Sequence, residues 1–154
     1  MMSTRDLDQA ITIELLEVER LVALMQREQD ILTTRQFDQI NDLLTLKTRA
    51  VQQLEIATQS RMQCAQQLNL HTASQLNDYL SVDSKIGPQW WHLQQQAKLA
   101  EVLNRSNAQL VQCHEDANRH LLSLLSQEKN QEIAYSANGR LRHQQTLGRP
   151  LDRA

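Results

Sequence analysis

The sequence predicts an all-α fold: an antiparallel, coiled-coil-like bundle of three long helices, with a short connecting helix and a flexible C-terminal tail. Three observations predict it. Only three Gly and two Pro interrupt the 154 residues, so little stops a helix once it has started. Aromatic residues make up 3% of the chain, whereas strands draw on aromatic and β-branched side chains. Apolar residues also recur at three- and four-residue steps over long stretches, the period of one helix face.

The first helix is expected from about Asp6 to Thr33. Ile11, Leu15, Val18, Val22, Met25 and Leu32 share one face, widened by Leu21 and Leu24, while Glu14, Glu17, Arg27 and Glu28 fill the remainder. The apolar phase slips at Thr33-Thr34-Arg35-Gln36, where two β-branched residues adjoin and Thr34 is a candidate cap for the second helix. A short turn there makes that helix an antiparallel neighbour of the first. One continuous, kinked helix is the competing reading, since neither Gly nor Pro marks the break. The second helix carries Phe37, Ile40, Leu44, Val51, Leu54, Met62, Ala65 and Leu68, and ends at Asn69-Leu70-His71.

Thr72 is placed to cap a short helix through Leu76, Tyr79 and Leu80. After a loop from Ser81 to Gly87, Pro88 suits the first position of a third long helix, which its pattern carries to about Gln127. Leu99, Leu103, Leu110, Cys113, Ala117, Leu121 and Leu124 form one apolar line on it. Trp90, Leu93, Ala97, Ala100, Val111 and Leu125 lie alongside. So wide a face fits a helix packed against two neighbours. Asn104 and Asn107 sit beside these lines, where a buried Asn fixes register in a bundle and an exposed one offers a contact. From Glu128 the period is lost. The organisation is therefore a bundle over residues 1–127 and a tail over 128–154, whose spaced Leu and single Tyr suit docking that orders a chain on contact.

Composition excludes several functions. The net charge is −2, and five Lys or Arg after Gln127 against three acids make a weak polyanion binder. The glycines are too scattered for a P-loop or dinucleotide fingerprint, and no G-x-S-x-G, H-E-x-x-H or E-x-x-H motif occurs. Cys113 and His120 stand seven apart, but two ligands do not make a zinc site. Both Cys64 and Cys113 read as members of apolar helix faces. The expectation is a protein without catalytic, cofactor or metal sites. Lacking a signal-peptide pattern or a bilayer-length apolar run, the chain reads as cytoplasmic. Trp90 reads as a core residue and Trp91 as cover for the neighbouring loop, with a partner anchor as the alternative. Tyr135 lies past the periodic region, where a contact role and packing on the bundle end are both open.

The chain resembles the FlgN-type flagellar export chaperones along nearly its whole length. The resemblance rests on the short junction before Phe37-Asp38-x-x-Asn41-x-x-Leu44, continued by Lys47, Val51 and Leu54. It rests also on Leu103-Asn104-x-x-Asn107-Ala108-x-Leu110, similar to a paired-Asn element, and on Tyr135-Ser136-Ala137-Asn138-Gly139-Arg140, similar to a tyrosine-to-glycine element. Ala108 departs from the family, which more often has Gly there. The resemblance implies a cytoplasmic chaperone that binds the helical C-terminal region of hook–filament junction proteins. It would prevent their premature assembly and deliver them to the cytosolic domain of the export gate, with no nucleic acid, cofactor or stable membrane insertion. Apolar excess in the C-terminal half puts client contact at Leu110, Val111, Leu121, Leu122, Leu125, Ile133 and Leu141. Tyr135 and Gly139, by their match to the family element, are the candidates for the gate. A helical adaptor or self-assembling coiled-coil bundle without a dedicated client is the alternative.

Overall fold

Four α-helices succeed one another in the computed structural model: α1 (Thr4–Thr34), α2 (Ile40–Gln67), α3 (Ala73–Ser81) and α4 (Ile86–Asp152), with a 3-10 turn over Phe37–Gln39. Residues 3–134 are described with their side chains, and 135–152 by the course of the helix alone. The chain divides into two units, Met1–Val111 and Gln112–Ala154. α4 continues past Gln127, where the apolar period ends. The straight-chain Gln, Glu and Lys after Gln127 favour helical backbone even where no apolar period asks for packing.

In the first unit α1 and α2 form an antiparallel hairpin. The break between them is made by Arg35 in the left-handed region (φ 58°), with the N–H of Gln36 donating back to the carbonyl of Ile31 at 3.1 Å. This C-terminal arrangement usually employs glycine; with Arg in its place, no Gly signals the turn in the sequence. Thr34 does not cap α2: its hydroxyl donates to the carbonyl of Asp30 within α1.

The buried face of α1 carries Leu7, Ile11, Val18, Leu21, Val22, Met25, Ile31 and Leu32, close to the periodicity expected. The face of α2 is different. Leu43, Ala50, Ala57 and Cys64, seven residues apart, are buried with Ala65, whereas Phe37, Leu44, Val51 and Met62 are exposed. Small side chains at heptad spacing let the two backbones come close, with Cα atoms inside 8 Å along the hairpin. Wider apolar residues on that stripe would hold the helices apart, so proximity, rather than hydrophobicity, selected the inner face.

α3 begins as its sequence foretells. The Thr72 hydroxyl accepts from the N–H of Gln75, and the Gln75 side chain accepts from the N–H of Thr72, a reciprocal capping box. α4 starts at Ile86, two residues before Pro88, because Asp83 supplies the cap: its Oδ1 accepts from the N–H groups of Lys85 (2.7 Å) and Ile86 (3.2 Å). Pro88 falls within the first turn, where its missing donor has no intrahelical partner to lose. These two backbone donors hold the Asp83 carboxyl below its ordinary pKa. Burial, and then the charge of Asp83, raise that of Asp8.

Gly87 lets the start of α4 press against the end of α3. A Cβ there would lie 2.9 Å from the carbonyl oxygen of Leu80. Because the obstacle is backbone, Gly87→Ala is expected to destabilise the fold by about 1–3 kcal/mol, offset slightly by alanine's better helix propensity. Urea unfolding measures it, and an unchanged midpoint would show that α3 yields freely.

α4 runs parallel to α1 within the first unit. Thr12 donates to Gln89 Oε1 (2.9 Å) and Gln29 Nε2 to Ser106 Oγ (3.0 Å), so the pairing advances in the same sense along both helices. Ile86, Leu93, Ala100, Leu103 and Asn107 are its buried residues there.

Candidate functional site

Glu14 and Glu28, which the sequence assigned to the polar side of α1, are buried within the first unit at 5% exposure each. They occupy positions of the same heptad series as Leu7 and Leu21. The Arg61 guanidinium pairs with both carboxylate oxygens of Glu14, and the Thr58 hydroxyl donates to its Oε1 at 2.9 Å. Two heptads along the hairpin, Lys47 Nζ donates to Glu28 Oε2 at 2.7 Å. A buried carboxylate is tolerated only when paired and hydrogen-bonded, and each of these is. Their positions on α2 repeat their spacing on α1, so the two pairs also fix the hairpin register.

Asn107 joins the second pair from α4. At 1% exposure it donates through Nδ2 to the carbonyl of Met25 and to Glu28 Oε2, both at 2.9 Å. Asn104 is exposed, so the two asparagines of the paired element part ways. Trp90 packs against the core, its Nε1 donating to Asn77 Oδ1 at 2.7 Å, with the Arg61 guanidinium 5.3 Å from its ring centroid. Beside it α2, α3 and α4 leave an open cleft of about 360 Å³ that reaches Met62, Leu70 and Leu76. Trp91, by contrast, is 62% exposed rather than folded over the loop.

The residues expected to meet a partner lie on α4. In the first unit Leu110 is half-buried and Val111 is exposed. In the second, every described side chain from Gln112 to Ala134 is exposed except the half-buried His114. Leu121 (55%), Leu122 (62%), Leu124 and Leu125 (51%) therefore form an exposed cluster within one and a half helical turns, with Ile133 farther along. Single exposed leucines are ordinary on a protein surface; four in five positions are not. Cys113, expected on a packed face, is exposed and carries a free thiol, while Cys64 is buried and burial raises its thiol pKa. The side chains of Tyr135, Gly139 and Leu141 lie outside the described residues.

Among the described residues no group of three or more His, Cys, Asp or Glu is placed to hold a metal ion. None of the helices, over those residues, is long and apolar enough to cross a membrane. What the second unit offers is apolar helix surface, suited to another protein's apolar surface.

No curated protein and no solved structure matches the chain. A family match does cover most of it: residues 1–143 match the family described as FlgN protein, spanning the hairpin, α3 and the exposed leucines of α4 together. The chain belongs to the FlgN family.

Proposed function

We propose that this protein is a cytoplasmic export chaperone that binds the C-terminal helical region of flagellar hook–filament junction proteins, prevents their early assembly and delivers them to the export gate. The observation that carries the reading is the exposed run Leu121, Leu122, Leu124 and Leu125 in a chain whose family implies a flagellar chaperone. A junction protein's terminal helix exposes apolar residues until its neighbours in the filament cover them. Its own apolar residues, at i, i+3, i+4 and i+7 spacing, would be laid against Leu121, Leu124 and Leu125 of α4. Leu110, Val111, Leu121, Leu122, Leu125, Ile133 and Leu141 are the contacts of this proposal. The stretch from Glu128 to Ala154 is its partner-binding tail, with Tyr135 and Gly139 meeting the gate.

The test separates the two roles. Deleting the chain from Gln131 is expected to weaken capture of a junction protein's terminal helix in a pull-down, and undiminished capture would remove the tail from client binding. Tyr135→Ala is expected to bind client as before while export into the medium falls. Normal export by that variant would end the gate assignment.

A further inference from the structure

The apolar stripe of α4 is close to self-similar, so its register must be set by polar contacts, of which one is buried. Its inner positions in the first unit are Ile86, Leu93, Ala100 and Asn107 in one heptad series, with Leu103 and Leu110 in the other. The sequence continues the first series with His114 and Leu121 and the second with Ala117 and Leu124. A slide of α4 along α1 by one heptad, about 10 Å at 1.5 Å per residue, would bring Leu110 to the place of Leu103 and Ala117 to that of Leu110. Hydrophobic burial discriminates weakly between two such registers, because it is non-directional.

We infer that Asn107, held by Glu28 and Met25, is the register lock of α4. Glu28 is 5% exposed and accepts from both Lys47 and Asn107 through the same oxygen, Oε2. The second donor bond of the amide goes to a helical backbone carbonyl, which recurs along α1, so the register is told by the bond to Glu28, whose place one heptad back is taken by Leu21. In the slipped register the amide would lie where Ala100 is buried, among apolar neighbours, and Glu28 would meet the His114 imidazole in place of the amide. Asn107 Oδ1 is already buried without a hydrogen-bond partner, so the residue is retained despite an unmet acceptor. A side chain that costs stability and repeats nowhere along the stripe is suited to specifying one alignment. The register in turn decides which leucines of α4 are buried and which are left exposed. That last consequence rests on the chaperone reading; the lock itself does not.

Native sulfur chemistry supplies the experiment. Ser106 is opposite Gln29, and Cys113 stands one heptad beyond Ser106 on α4. In the full chain carrying Gln29→Cys, a one-heptad slip brings Cys113 opposite position 29, whereas the native register does not. Under mild oxidation this variant is expected to form little intramolecular 29–113 disulfide. Adding Asn107→Leu is expected to raise its yield on the order of 10-fold or more, scored on monomer bands and by peptide mass. Gln29→Cys with Ser106→Cys reports the native alignment and is expected to link less completely once Asn107→Leu is present. If circular dichroism shows that Asn107→Leu has lost its helices, Asn107→Ala, which removes the amide without added bulk, is read in the same way. Equal 29–113 yield with and without Asn107, or an undiminished 29–106 link, would overturn the inference. Because no client is present, its failure would leave the proposed function standing, and the failure of client capture would leave the lock standing.

Discussion

Arg61→Met is expected to lower the unfolding free energy by ~3–5 kcal/mol, among the largest effects any single substitution here should produce. The change keeps most of the side-chain volume and leaves Glu14 with the Thr58 hydroxyl alone. Glu14 is the more buried partner, at 6% side-chain exposure against 16% for Arg61, so the cost falls on an uncompensated carboxylate. The stacking of Arg61 over Trp90 is lost as well. Replacing both residues, Glu14→Leu with Arg61→Met, should recover most of the loss, because well-packed apolar groups in place of a buried pair are often neutral or better. Urea unfolding of the four members of this cycle reads the coupling directly. A loss below about 1 kcal/mol for Arg61→Met would mean that water reaches Glu14 and that the pair is worth no more than a surface ion pair.

The second large effect concerns binding. Leu121→Ser combined with Leu125→Ser is expected to weaken capture of a junction protein's terminal helix by about 100-fold or more. Burying one leucine contributes ~1.5–3 kcal/mol, and two lost leucines reach that factor when the guest covers both. Fold stability should stay within about 0.5 kcal/mol, because both side chains are more than half exposed in the free protein. Calorimetric titration measures the first quantity and thermal unfolding the second. Unchanged affinity in a folded variant would exclude this surface as the client site. A large stability loss would show instead that the leucines are packed in solution, as in a self-assembling bundle, the alternative reading of the sequence.

Much of the site was legible from local pattern. The cap at Thr72, the α1 face and the run of leucines beyond Val111 are short-range features, and short-range physics is what a sequence displays. The partners of Glu14 and Glu28 were not. Arg61 lies 47 residues from Glu14, and nothing in the spacing of either helix announces the meeting. Both glutamates do sit at core heptad positions of α1, a signal that charge concealed. The αL residue at Arg35 was likewise hidden, since glycine, its usual marker, is absent.

Local order along the chain made it helical, placed three of its turns and gave α4 its apolar surface. It did so because propensity, capping and period are properties of neighbouring residues. Tertiary structure alone decided which side of α2 turns inward, which acids are buried, and that Asn107 but not Asn104 enters the core. Those outcomes depend on how near a second helix can come, and that distance is set by the small residues Ala50, Ala57 and Cys64 acting together with the partner they face.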